Sequence, residues 1–365
     1  MKILNLKLTN FRNYSKLNLS FDSSKNIIIG ENGVGKTNIV EALYVLAFTK
    51  SFRGSKDAIV IKDNNDYCMV EGTIKDNIKN KYKVVLSKDS KTVFINNNKI
   101  DRLSNYLSNI NIILFTSEDL KLIKDTPNTR RRLINIELSQ YSNEYLKILS
   151  NYNHVLKQRN SYLKMLYFNA NASKSYLDIL DDKLIELGLK IYEYRFNFIN
   201  NLNNYIKEDY LKITGKSGLN IVYKSDFINK NKDELKLIYK KNLDRDITLG
   251  KTNIGIHHDD YNFYINNKNL RDYGSEGEQK NAIIAFKMSE IDIFRKDKGI
   301  TPILILDDLF SELDKKKIHN ILDFIDDDIQ TFITTTELTK ISKKLKSGSK
   351  IFKIKNGNIK EEKYE

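Results

Sequence analysis

Gly30-Glu31-Asn32-Gly33-Val34-Gly35-Lys36-Thr37 is a G-x-x-x-x-G-K-T run, a spacing that suits phosphate. Its glycines let backbone N–H groups close around phosphate oxygens, and a helix opening behind them adds a partial positive charge. Lys36 is placed to reach β- and γ-phosphates, and the Thr37 hydroxyl to take one position on Mg²⁺. Much later, Ile303-Leu304-Ile305-Leu306 closes on Asp307-Asp308. An apolar strand ending on a carboxylate is what holds Mg²⁺ through its water shell beside such a loop, and Asp307 fills that place.

These groups act only if the surrounding elements present them. Asn26–Ile29 is an apolar strand directly before the loop, and Ile39, Leu43, Leu46 and Ala47 fall on one face of a helix after it, so strand, loop and amphipathic helix stand in order. Leu4, Leu6 and Leu8 alternate with polar residues, as do Leu17, Leu19 and Phe21: two half-buried antiparallel strands joined through Asn10-Phe11-Arg12-Asn13-Tyr14. Arg53, in Ser51-Phe52-Arg53, returns close to the loop in sequence. Tyr67–Ile74, Tyr82–Leu86 and Thr92–Ile95 read as a β meander, turning at Asn96-Asn97-Asn98, and Ile110–Phe115 as one more strand.

From Glu118 the pattern is helical. Tyr145, Leu149, Tyr152, Leu156, Leu163 and Leu166 form one stripe, with Arg159 at the missing seam position; Leu177, Leu180, Leu184, Leu187, Ile191, Tyr194, Phe198, Leu202 and Tyr205 form another. Joined by the polar tip Asn169–Ser175, they read as an antiparallel helical hairpin or a plain core stripe, with no chemistry assigned. Leu219–Tyr223 is strand-like, and Gly250–Asp260 is a polar loop in which His257 and His258 read as packing residues rather than metal ligands, since no third ligand is visible. Ser275 caps a helix running to about Phe294, and Gln330–Thr334 is a last strand. The expected division is an ATP-binding lobe at 1–118 and 247–365 and a helical lobe at 119–246.

With 365 residues and 40% hydrophobic content the chain is a globular protein of one large or two modest domains, not a disordered tail. Lysine and arginine number 61 against 47 acidic residues, a net +14 that points to a polyanion, nucleic acid before membrane. Clusters at Lys50–Lys56, Arg130-Arg131-Arg132 and Lys340–Lys350 serve that partner or are ordinary solvated faces. Neither a recognition-helix motif nor an aromatic single-strand platform is visible, so little base preference is expected. One cysteine excludes a disulfide framework and a cysteine-built zinc site. No run is apolar enough to span a membrane and the start enters a strand pattern directly, so a cytoplasmic protein is expected.

Ser275-Glu276-Gly277-Glu278-Gln279, Asp307 and Ser311-Glu312-Leu313-Asp314 resemble the signature, Walker B and D-loop motifs of the ABC-type ATPase heads of SMC-like chromosome and repair proteins. Within that superfamily the chain resembles the RecF family of DNA replication and repair proteins, on F-R-N-Y at 11–14, G-E-N-G-V-G-K-T-N at 30–38, Ser51–Arg53, Pro127–Leu133, V-L-K-Q-R-N at 155–160, Gly250–Asp260, Ser275–Lys280 and Leu306–Asp314. The resemblance implies an α/β P-loop ABC-type head, a mixed sheet plus antiparallel meander, with an inserted helical lobe. It implies ATP and Mg²⁺ as cofactors, with Gly30, Glu31, Asn32, Gly33, Val34, Gly35, Lys36, Thr37 and Asn38 around the nucleotide and Thr37 and Asp307 on the metal.

Asp308 would hold the attacking water, Ser275, Gly277 and Gln279 would serve a nucleotide from the signature helix, the first two in trans, and Arg12 and Arg53 would bind phosphate in cis or take a surface or DNA role. It further implies a weak, DNA-stimulated ATPase that forms an ATP-dependent homodimer on single-stranded or gapped duplex DNA and, with RecO and RecR, helps load RecA. Ile256 and His258 replace the family's usual Pro and Arg, Asp308 stands where many ABC ATPases have Glu, and Thr334–Thr336 occupy a switch region where transporters often have His. Rival readings are a DNA-binding protein with ATP as structural cofactor, and the ATPase of an overcoming-lysogenization-type nuclease; little chain remains after Asp314 for a nuclease domain.

Overall fold

The computed structural model describes every residue except Ser23, Ser55, 170–172, Lys174, Phe324, 341–345, Asn356 and 364–365. The expected hairpin tip and the basic clusters at 50–56 and 340–350 therefore lie partly outside the described residues. The chain divides into two compact units, Met1–Lys121 with Asp209–Gly215 and Ile283–Glu365, and Leu122–Glu208 with Lys216–Ala282. Residues 247–282, expected with the phosphate-binding lobe, belong to the second unit, because the strand at 260–265 pairs with the one at 219–224.

In chain order, β1 (Lys2–Phe11) and β2 (Tyr14–Ser20) pair antiparallel, with Leu6 opposite Leu19 and Leu8 opposite Leu17. β3 (Lys25–Ile29) leads through the glycine loop into α1 (Lys36–Phe48). β4 (Tyr67–Lys75), β5 (Lys79–Ser87), β6 (Lys91–Ile95) and the short β7 (Asn98–Lys99) form the expected meander, and Asn96 and Asn97 turn it at positive φ. A turn of helix, α2 (Leu103–Tyr106), precedes β8 (Ile112–Thr116).

The helices α3 (Pro127–Tyr141), α4 (Asn143–Phe168) and α5 (Ser175–Thr214) follow, then β9 (Leu219–Lys224), α6 (Lys232–Leu249), β10 (Asp260–Ile265), β11 (Lys268–Asn269), α7 (Leu270–Tyr273) and α8 (Glu276–Asp292). The chain ends with β12 (Ile303–Asp307), α9 (Lys315–Asp323), β13 (Thr331–Thr335), β14 (Lys350–Lys355) and β15 (Asn358–Lys363). The last two strands are absent from the sequence reading.

The first unit holds an antiparallel sheet in the order β2-β1-β4-β5-β6-β7 and a mixed sheet in the order β15-β14-β3-β13-β12-β8. In the mixed sheet β8, β12, β13, β3 and β14 are parallel and only β15 opposes them. One apolar cluster joins Ile3, Leu6 and Leu8 of β1 to Ile39, Leu43 and Leu46 of α1, and Ile28, Ile305 and Phe332 of the mixed sheet. α1 is thus buried from Ile39 to Ala47, not on the single face expected. A helix covered on all sides shows little amphipathic contrast. Each fully buried aliphatic side chain there contributes about 1.5–3 kcal/mol.

In the second unit α4 and α5 form the antiparallel hairpin: Glu144 and Tyr145 face Tyr194 and Arg195, Arg159 faces Asp181, and Tyr162 faces Tyr176. The seam of α4 is Tyr145, Ile148, Tyr152, Val155, Arg159, Leu163 and Leu166, so Ile148 and Val155 replace the expected Leu149 and Leu156. On α5 the buried Arg195 and Ile206 displace Tyr194 and Tyr205. β9, β10 and β11 make a three-stranded antiparallel sheet. No helix of the described residues is long and apolar enough to cross a membrane.

Candidate functional site

β3, β13 and β12 run parallel with Ile29 opposite Thr335 and Leu306 opposite Ile333, so their carboxyl ends lie side by side. Open α/β sheets bind ligands just beyond such ends. From β3 the chain enters the glycine loop, where Gly33 has φ 83° and Gly35 φ 108°, values an L side chain resists. The space at Gly35 is also closed: an added Cβ would lie 2.7 Å from Asn13 Nδ2 and 2.8 Å from Tyr14 Oη. At Gly33 nothing stands within 4 Å. Asn13 Nδ2 donates to the Val34 carbonyl at 3.4 Å and Tyr14 Oη to that of Gly35 at 3.3 Å, so the β1–β2 turn braces the loop.

Lys36 is buried, and its ammonium donates to the carbonyls of Gly30 at 2.7 Å and Glu31 at 2.8 Å, curling the loop over its own lysine. Burial pulls the lysine below its ordinary pKa, while Asp308 and Asp307 oppose that shift. The Thr37 hydroxyl donates to Asp307 Oδ1 at 3.1 Å, and Thr334 donates to the same oxygen at 2.7 Å. Burial pushes the Asp307 carboxyl up; the two hydroxyl hydrogen bonds hold it down in part, and Asp308 adds to the rise. Hard oxygen donors on a buried carboxylate that makes no ion pair among the described residues fit Mg²⁺. Asp308 turns out of β12 at φ 48°, its N–H donating to Thr334 Oγ1 at 2.9 Å, and its side chain lines the cavity rather than the core.

That cavity, of about 660 Å³, is lined by Asn32, Gly33, Gly35, Lys36, Thr37, Asn38, Arg12, Arg53 and Asp308 among the expected residues. Asp307 sits buried with its carboxylate on Thr37, Glu31 is exposed, and Gly30 and Val34 pack under the loop, where a Cβ on Gly30 would meet the Ile354 carbonyl at 2.7 Å. Asn13, Ile59, Ile61, Lys62 and Asp63 line it too and were not singled out.

Glu41 is a candidate site residue that sequence reasoning missed. It is fully buried on α1, one turn after Thr37, and receives Arg12 Nε at 2.9 Å, Arg12 Nη2 at 2.5 Å and the Ser51 hydroxyl at 2.5 Å, with Arg53 at 3.8 Å. A carboxylate inside the apolar run Ile39–Ala47 was the available signal, since buried acids are rare unless paired. Two arginines far apart in sequence thus reach one rim through one acid.

Ser275, Gly277 and Gln279 lie in the second unit. Ser275 and Glu278 cap α8 reciprocally, the Ser275 hydroxyl donating to Glu278 at 2.9 Å. Gly277 has nothing within 4 Å of an added Cβ. Gln279 differs from expectation: it is buried and donates its amide to the carbonyls of Leu270 at 2.7 Å and Gly274 at 3.1 Å, so it shapes the turn before Ser275 instead of presenting itself to a ligand.

Nearby in the same unit, buried arginines organise the 250–260 loop: Arg159 binds Asp246, Asp181 and Thr252, and Arg195 binds Asp259 and the Ile256 carbonyl. His257 bonds Tyr152 Oη at 2.8 Å and the Thr252 carbonyl at 3.0 Å, and burial pushes its pKa down to about 4.

A glycine loop on a sheet-end lysine and threonine, tied to a strand-end carboxylate and backed by a second antiparallel sheet, defines an SMC-like ABC ATPase head. The family described as RecF/RecN/SMC N terminal domain matches residues 2–360. The DNA replication and repair protein RecF of Ligilactobacillus salivarius is 39% identical over 371 residues, covering 99% of this chain and 98% of the relative. That of Streptococcus gordonii is 39% identical over 366 residues, covering 99% and 100%. The chain belongs to the RecF family. A solved structure of the recombination mediator protein RecF with ATP matches at 30% identity and a TM-score of 0.91, covering 99% of this chain and 97% of that one. The Smc head domain of Pyrococcus furiosus, at 18% identity and a TM-score of 0.53, shares the fold alone.

Proposed function

We propose that this protein is an ATP-driven DNA-binding switch of recombinational repair, acting in the cytoplasm. The observation that carries the reading is the tie of Thr37 and Thr334 to Asp307 beside a lysine already curled under a phosphate-sized glycine loop. It is supported by relatives at 39% identity named for DNA replication and repair, and by one at 30% solved with ATP.

In this reading loop N–H groups and Lys36 bind the ATP phosphates, releasing the Gly30 and Glu31 carbonyls. Thr37 and Asp307 would hold Mg²⁺, which would supply neutralisation of phosphate charge. Asp308 takes a proton from the attacking water, and Arg12 and Arg53, steadied by Glu41, meet phosphate charge from the rim. Ser275 and Gly277, open to their surroundings, contact the γ-phosphate held by a second copy, so that ATP closes a homodimer on gapped or junction DNA and slow hydrolysis opens it. With RecO and RecR, the closed dimer helps load RecA.

The test is fluorescence anisotropy on a gapped duplex with and without ATP. Wild type should tighten with ATP while Lys36→Ala should not, and log affinity should fall with log salt by about 0.9 per phosphate neutralised. Equal, salt-independent affinity in both proteins would overturn the reading.

A further inference from the structure

One end of the α4–α5 hairpin carries aromatic rings that the core does not use. Leu163, Leu166 and Leu177 are buried there, with Tyr162, Leu243 and Ile247 packed around them, so the ends of α4, α5 and α6 are fastened without further help. Beyond that cluster Phe168 is 86% exposed, Tyr167 58% and Tyr176 41%. They stand in pairs, Tyr167 edge-on to Phe168 at 5.2 Å and Tyr176 edge-on to Tyr162 at 4.9 Å.

Cations adjoin them. Lys164, one turn before Tyr167 and Phe168 on α4, lays its stem over Gly250, where an added Cβ would be 2.8 Å from Lys164 Cγ, which brings it beside the exposed Lys251. Among the described residues neither has a carboxylate within ion-pair distance. Exposed rings beside unpaired cations are chemistry for unpaired bases and the phosphates that join them. A duplex hides its base faces, whereas a single strand offers them.

We propose that the facing ends of α4 and α5 form a binding site for single-stranded nucleic acid, with bases stacking on Tyr167, Phe168 and Tyr176 and phosphates held by Lys164 and Lys251. The proposal builds on the nucleic-acid reading above but names a different surface from the nucleotide cavity. No such platform shows in the sequence because its rings come from two helices, each of which displays only one or two.

The test uses the full-length protein, a fluorescein-labelled oligothymidylate and a blunt duplex of equal length. Tyr167→Ala/Phe168→Ala, both exposed and outside the buried cluster, should leave the melting temperature and duplex affinity unchanged. Oligothymidylate affinity should fall about tenfold or more, with an unchanged salt slope. Lys164→Ala should instead lower that slope by about 0.7. Unchanged oligothymidylate affinity in the double variant overturns the proposal, and so does a double variant that has lost self-association in sedimentation but keeps the strand, which would make these helix ends a contact between copies. A wild-type protein that binds neither probe would refute the wider nucleic-acid reading, whereas one that binds duplex alone refutes only this site.

Discussion

Replacing Gly35 by alanine asks how closely the loop is built around phosphate. The residue sits at φ 108° and ψ 10°, outside the small left-handed region L-residues tolerate, which costs about 1–3 kcal/mol. The new methyl would also stand 2.7 Å from Asn13 Nδ2 and 2.8 Å from Tyr14 Oη, so both side chains must retreat from their bonds to the Val34 and Gly35 carbonyls. Two such bonds are worth about 1 kcal/mol each.

If the free loop relaxes to avoid this, the cost of about 3–5 kcal/mol returns on binding, a weakening of about 150- to 5,000-fold in nucleotide affinity. Gly33→Ala is the control: its φ of 83° carries a similar backbone penalty, but nothing stands within 4 Å of the methyl. It should lose only about 5- to 30-fold, from 1–2 kcal/mol of backbone strain. Calorimetric titration with ATP measures both, and thermal unfolding without nucleotide reports any strain kept in the free protein. Equal losses at the two glycines would refute the bracing by Asn13 and Tyr14, and unchanged ATP affinity and melting temperature in Gly35→Ala would refute the loop as the phosphate site.

Three further outcomes are expected. Asp308→Asn should bind ATP normally, since Lys36, Thr37 and Asp307 are untouched, while turnover falls by about 10²–10⁴-fold, as on losing a general base; wild-type turnover would move that role elsewhere. Lys36→Ala and Ser275→Arg should each stay monomeric with ATP, and their mixture should partly recover association in crosslinking between differently tagged chains; ATP-dependent dimers of Ser275→Arg alone would remove the signature helix from the interface. Asp209 is fully buried, its Oδ2 without a hydrogen-bond partner among the described residues, and burial, reinforced by Asp292 and countered by Lys212 and Lys296, pushes its carboxyl up to about 7. A raised acid favours the folded state while protonated and costs stability as pH rises through 7, by up to about 4 kcal/mol at about 1.4 kcal/mol per unit. Asp209→Asn should therefore melt above wild type at pH 8 by a margin that shrinks by more than half at pH 5, a trend that differential calorimetry would reveal or deny.

Local pattern sufficed wherever neighbours in the chain are neighbours in space. The strand, glycine loop and helix of residues 26–48, the meander from Tyr67 to Ile95 and the apolar strand closing on Asp307 are each written in one stretch, because a turn or a buried strand depends on its own residues. The hairpin was legible as two stripes, yet their seams differ at Ile148, Val155 and Arg195, since which side chain is covered depends on the partner helix. What only the tertiary structure decided is what distant segments share. β10 joins the second unit by pairing with β9, β14 takes its place beside β3 from the far end of the chain, and α1 is covered by two sheets at once.

Glu41 illustrates the reason. A carboxylate is tolerable inside an apolar helix only if cations arrive to pair with it, and Arg12 and Arg53 arrive through a β-turn and a returning loop that leave no periodic mark in the sequence. The candidate chemistry was therefore legible in residues next to one another, and its assembly around one cavity depends on packing between residues that are not.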